Sequence, residues 1–223
     1  MEDIYSNKRI KEFRKINWKE AINDFENKKQ YIMDKIKNIS TNFDIPESEI
    51  FAIISKSTDK KLKELFIAVR LSKDPKRQNI YENIFYDYMR ENDRDLIKLP
   101  SKGPNSIYLT ILGLSMEEKD DIDSTKSLDF YEKVGENEIY YYNKYTEGGG
   151  GAQGSQFKDL QTFIRLAKTY CDNHQDSKIF VAVADGPFYD DDKLGYLAQI
   201  AGEFIDRRIF VFKWYDLPHK LIF

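Results

Sequence analysis

Apolar residues recur at three- and four-residue intervals through the first part of the chain and gather into short β-type runs in the rest. Ile10, Phe13, Ile16, Trp18, Ile22, Phe25, Tyr31, Ile32 and Ile36 mark one or two amphipathic helices over residues 8–40. Asp44-Ile45-Pro46 breaks that pattern, and Pro46 then suits the first turn of a short helix from Glu47 to Ser55. Thr58 or Asp59 is placed to cap a further helix to about Leu71. Ile80, Ile84, Phe85 and Tyr88 continue at helical spacing to about Arg90. Residues 1–95 are expected to be mostly helix.

The pattern changes at Pro100-Ser101-Lys102-Gly103-Pro104, a loop by composition. Ser106 to Leu114 is rich in β-formers. Ser127 to Val134 and Glu138 to Thr146 are two more such runs, separated by Gly135-Glu136-Asn137, which reads as a hairpin turn. Four glycines, Gly148 to Gly151, precede a helix over Ser155 to Tyr170 with Phe157, Leu160, Phe163, Ile164 and Ala167 on one face. Lys178 to Ala184 is a continuous apolar run, the mark of a strand buried on both faces. A helix over Leu194 to Ile205 and a strand over Arg208 to Phe212 follow. The order β-β-β-α-β-α-β predicts an α/β (α+β) fold, with a mixed central sheet of about five strands flanked by helices. The expected organisation is one compact domain: a helical part over residues 1–95 packed on an α/β core over 96–223.

Composition narrows the class. The chain is 41% hydrophobic and 33% charged, proportions of a folded globular protein and not of a disordered one. No run of about 18 apolar residues offers a membrane span, and the start, MEDIYSNKRIKEF, lacks the apolar stretch of a secretory signal. Cys171 is the one cysteine, so neither an internal disulfide nor a Cys/His zinc site is expected. A cytoplasmic location is the expectation. The net charge of −3 is unevenly spread: residues 1–100 carry 21 Lys and Arg against 18 Asp and Glu, and the remainder 14 against 20. That distribution is compatible with a basic binding face beside a carboxylate-rich site, and equally with ordinary surface scatter.

Asp129 and Lys144 carry the candidate chemistry. They lie in the two strands of the expected hairpin, and a short turn brings both to the same end of the sheet. A carboxylate there can hold Mg2+ through oxygen. A lysine beside it can orient or deprotonate water, or stabilise a phosphorane-like transition state. The structural alternative is a surface ion pair across the hairpin. The period of two puts Tyr140, Tyr142 and Lys144 on one strand face.

The segment TKSLDF, ten further residues and YYNKY, then a loop, a helix and a buried strand, resembles the PD-(D/E)xK nuclease superfamily, especially type II restriction endonucleases. The likeness covers the element order over roughly residues 75–215 and few identities. It implies that Asp129 is the metal-binding aspartate and Lys144 the catalytic lysine, acting with Mg2+. The family's second acid belongs two residues before the lysine, where this chain has Tyr142. Candidates to replace it are Glu82, on the helix before the core and the favoured choice; Glu147, just past the strand; and Gln153 and Gln156, as neutral oxygen donors.

The resemblance also implies double-stranded DNA as partner and a homodimer, since a palindromic site presents the same half-site twice. Gly149, Gly150 and Gln153 would let a DNA backbone approach the helix start; a mobile linker is the plain alternative. Lys76, Arg77 and Gln78 form a basic, amide-rich turn suited to phosphate and base-edge contacts. Asp185-Gly186-Pro187 lies where α/β sheets place ligands, or where a simple turn would stand. Asp190-Asp191-Asp192 reads as a helix cap. The rival functions are a non-catalytic nucleic-acid or protein interaction module on a nuclease-like core, and a phosphate-ester enzyme using the glycine loop.

Overall fold

The computed structural model describes residues 4–72, 80–116, 124–148, 153–202 and 208–217, and the chain divides into two units, Met1–Ile84 and Phe85–Phe223. The first unit is helical. α1 (Asn7–Glu26), α2 (Gln30–Phe43), α3 (Glu47–Lys56) and α4 (Lys60–Phe66) follow in order, and a π-helical segment, Ile67–Leu71, continues α4. Their boundaries are set locally. Asp44 ends α2 in the left-handed region (φ 52°), and Pro46 stands at the N-terminal cap of α3. Asp59 opens α4 by accepting a hydrogen bond from the Leu62 N–H at 3.0 Å. Phe25, Ile32, Ile36, Ile50, Ile54, Ile67 and Leu71 form the core of this unit, which explains the spacing of apolar positions along it.

α5 (Ile80–Glu91) continues into the second unit. The second unit is built on a five-stranded mixed sheet in the order β1-β4-β5-β6-β7. β1 (Ile97–Lys98), β4 (Phe130–Val134) and β5 (Asn137–Tyr145) are antiparallel, whereas β5, β6 (Lys178–Asp185) and β7 (Ile209–Phe212) are parallel. α6 (Gln153–Asn173) and α7 (Asp191–Ala201) provide the crossovers that parallel strands need. Both faces of the sheet are covered. On one, Phe85 and Tyr86 of α5 pack their rings against Phe130. On the other, Tyr140, Tyr142, Phe180 and Ala182 meet Leu160, Phe163 and Ile164 of α6 and Leu197 of α7. β5 therefore reads Ile-Tyr-Tyr-Tyr without polar alternation, because it has no solvent face. The seven helices and the mixed five-stranded sheet of the described residues match the expected fold class. None of the described helices is long and apolar enough to cross a membrane.

Two expected elements differ. The run Ser106 to Leu114 does not join the main sheet. It folds back on itself as β2 (Tyr108–Thr110) and β3 (Gly113–Ser115), a separate two-stranded ribbon. The Thr110 hydroxyl donates to the Gly113 carbonyl at 2.9 Å and accepts from the Leu112 N–H at 3.1 Å, while Gly113 takes φ 116°. A side chain–backbone turn thus replaced an extended strand, and the short β1 fills the edge of the sheet. The second difference is α7, which starts earlier than Leu194 because Asp190 caps it, accepting from the Lys193 N–H at 3.0 Å. It ends at Ala201 because Gly202 adopts the left-handed conformation (φ 68°).

Candidate active site

The β4–β5 hairpin positions Asp129 and Lys144. Its two-residue turn starts at Gly135 with φ 60°, the position at which a type II′ loop requires glycine. From Val134↔Asn137 the register runs back to Phe130↔Tyr141, which puts Asp129 opposite Tyr142, one step past the last pair. There the carboxylate takes over from the ladder: Asp129 Oδ2 accepts the Asn143 N–H at 2.7 Å. The Lys144 ammonium donates to the same oxygen at 3.2 Å and to the Asn143 carbonyl at 3.0 Å. It also lies 3.8 Å from the centre of the Tyr142 ring, a cation–π contact. The side chains of Lys144 and Asp129 are only 16% and 12% exposed. Asp129 Oδ1 has no hydrogen-bond partner among the described residues.

The surroundings are polar at the carboxyl ends of β5 and β6, the end at which α/β sheets bind ligands. The Thr146 hydroxyl donates to Gln156 Oε1 and lies 3.2 Å from the Tyr189 hydroxyl. Gln156 thereby stands on α6 beside the end of β5. Gln153, at the start of α6, donates to the Glu147 carbonyl at 3.1 Å. The Glu147 side chain is exposed. Asp185 is fully buried and accepts the Trp214 N–H at 2.9 Å, while its carbonyl accepts from the Thr146 N–H at 2.8 Å. These bonds tie the strand ends together, which makes Asp185 a structural carboxylate. Gly186 (φ 95°) passes so close to Thr146 that a Cβ would lie 2.4 Å from the Thr146 carbonyl oxygen.

Glu82 lies on α5 within the first unit, and Asp129 and Lys144 in the second. Lys76, Arg77, Gln78, Gly149 and Gly150 lie outside the described residues. Sequence reasoning assigned no role to three members of the neighbourhood. Asn143 is 4% exposed and neither side-chain polar atom has a partner, a situation that costs about 1–3 kcal/mol. Tyr142 is fully buried, and its phenol is raised well above the usual range, first by burial and then by the charges of Asp129 and Asp159. Asp159 on α6 pairs with Lys126 at 2.7 Å. Only the strand alternation of Tyr142 and the helical spacing of Asp159 from Phe163 could have hinted at their proximity.

Among the described residues no three His, Cys, Asp or Glu side chains gather as a metal-ligand group. Asp129 has an open oxygen, whereas the amide oxygen of Gln156 accepts the Thr146 hydroxyl, so a Mg2+ held here would rest on one carboxylate and keep most of its waters. Comparison with family models, with curated proteins and with solved structures finds no match to this chain.

Proposed function

We propose that this protein is a metal-dependent, site-specific endonuclease of the PD-(D/E)xK type, acting as a homodimer on double-stranded DNA with Mg2+. The observation that carries the reading is the 3.2 Å approach of the Lys144 ammonium to an Asp129 carboxylate that retains an open oxygen, at the carboxyl end of a central strand. Asp129 would hold Mg2+. The ion when bound supplies Lewis acidity toward a phosphate oxygen and lowers the pKa of water. Lys144 is anchored at Asn143 O and Asp129 Oδ2, so its ammonium is aimed before substrate arrives and stabilises negative charge developing on the scissile phosphate. Phe163 stacks on the Tyr142 ring over which the lysine lies, their centroids 5.1 Å apart.

A second reading draws on one fact: Asp129 Oδ2 also caps the Asn143 N–H. On that reading the pair is a strand-end latch, and the chain is a binding module on a nuclease-like core. Incubating the protein with a random-sequence DNA library and Mg2+, then mapping new ends, separates the two. The nuclease reading expects ends at one short sequence motif, lost with chelator and lost in Asp129→Asn. Intact DNA across the library, from protein that is folded, would favour the latch.

A further inference from the structure

We propose that the groove formed by α3, α4 and the end of α2 is the docking site of an acidic amphipathic helix from a partner protein. The groove lies wholly within the first unit and does not depend on the nuclease reading. It measures about 630 Å³, room for several apolar side chains, and its charged lining residues are Lys56, Asp59 and Lys63. The sequence of α3 explains why it is apolar. The run Ile50-Phe51-Ala52-Ile53-Ile54 gives that helix more apolar surface than the core uses. Ile50 and Ile54, one turn apart, are buried in the core of the unit, and Phe51 stacks on Phe25 at 4.8 Å. Ile53 is left outside at 60% exposed, and on α4 Leu62 is 60% exposed as well. Scattered singly, such residues mean little. Gathered in one groove with a charged rim, they mark a binding surface.

Charge selects the occupant. The Asp59 carboxylate caps α4 by accepting the Leu62 N–H. Among the described residues, Lys56 has no ion pair and the Lys63 ammonium meets only the Phe25 ring, at 5.9 Å. Lys60, one turn before Lys63, lies 3.9 Å from Glu64 with its side chain 87% exposed, a contact that stabilises little. The apolar slot therefore carries cations that its own carboxylates leave largely uncompensated. An amphipathic helix answers both features: apolar residues at i, i+3 or i+4 and i+7 meet Ile53, Leu62 and Phe66, and Asp or Glu beside them meet the lysines. α3 spans 10 residues, so about three turns of a partner helix lie along it. A second copy of this chain fits worse. Its apolar ridge, Leu62, Leu65 and Val69, brings Lys60 and Lys63 with it and sets lysine against lysine. An anionic lipid surface matches the charge but takes a protruding apolar face, and a groove is concave.

The test is selection from a displayed library of random peptides, about three helical turns long, on the full chain, with counter-selection on the Ile53→Ser, Leu62→Ser double variant. Both side chains are mostly exposed, so this variant is expected to keep the circular dichroism spectrum of the parent. Enriched peptides are expected to carry apolar residues at helical spacing and an excess of Asp and Glu. One of them, labelled and titrated by fluorescence anisotropy, is expected to bind the serine variant at least about tenfold more weakly. The Lys56→Glu, Lys63→Glu variant should also lose about tenfold, and affinity for the parent should fall as salt rises. The absence of any enriched peptide overturns the inference, and so does enrichment of basic or uncharged ones. An acidic peptide that binds the charge-reversed variant as tightly as the parent overturns it as well, whatever the serine variant does. A concentration-dependent dimer that the serine substitutions abolish, without peptide enrichment, assigns the groove to a second copy instead. Co-sedimentation with phosphatidylserine-containing vesicles, again without enrichment and lost in the same variant, assigns it to a membrane.

Discussion

Two acid–base pairs sit back to back on the β4–β5 hairpin, and they are built differently. On the α5 side, Arg94 grips Glu132 with two parallel bonds, Nε to Oε1 at 2.8 Å and Nη2 to Oε2 at 2.7 Å. The Tyr141 hydroxyl adds a third at 2.7 Å. Glu132 is 2% exposed, and burial together with its charge holds the Tyr141 phenol well above its usual range. On the α6 side, Lys144 touches Asp129 through a single bond at 3.2 Å, and one carboxylate oxygen stays open. The first pair has both carboxylate oxygens occupied in a bidentate fork, the arrangement that holds a structural charge in place. The second is held loosely enough to accept another partner. Completeness of hydrogen bonding, more than burial, separates the closed pair from the one that keeps an open oxygen.

Four measurements would sharpen or break that contrast. The largest effect belongs to Asp129→Asn, which should reduce cleavage by about 10³-fold or more, since metal-borne charge stabilisation is worth several kcal/mol; single-turnover cleavage at near-parent rate would remove Asp129 from the site. Arg94→Met comes next. Breaking a buried, hydrogen-bonded pair costs about 3–5 kcal/mol, so its urea midpoint should fall sharply, and a midpoint like the parent's would show that Glu132 finds another partner. Lys144→Ala should lower the cleavage rate about 10²- to 10³-fold with little change in DNA affinity measured under Ca2+. Equal losses of rate and affinity would make Lys144 a phosphate-binding residue instead. The smallest effect is on stability. Asp129→Asn keeps an oxygen to accept the Asn143 N–H, so the same urea titration should shift by less than about 1 kcal/mol. A fall as large as that of Arg94→Met would erase the distinction between the two pairs.

The helices of the first unit were legible because their periodicity and caps are local: Asp59 and Pro46 act on the residues next to them. The hairpin was legible for the same reason, through Gly135 and the β-rich runs on either side. The run 106–114 was not. Its β-formers state a preference for extended backbone and nothing about which strand they join, and the Thr110 turn that decided the matter is a hydroxyl-to-backbone contact with no periodic signature. The candidate site divides along the same line. Asp129 and Lys144 could be paired from sequence because a short turn fixes which residues meet across a hairpin. Asp159 could not, because its closeness to Tyr142 depends on how α6 lies across the sheet.

The sequence by itself determined the element types, the place of the hairpin turn, and the burial of both faces of the Lys178–Ala184 strand, since backbone preference and hydrophobic period act over a few positions. Only the tertiary structure decided that β1 and not the 106–114 run edges the sheet, that Asp185 is occupied by Trp214, and that Asp159 pairs with Lys126. Those outcomes depend on helix-to-sheet packing between residues far apart in the chain, which no local pattern encodes.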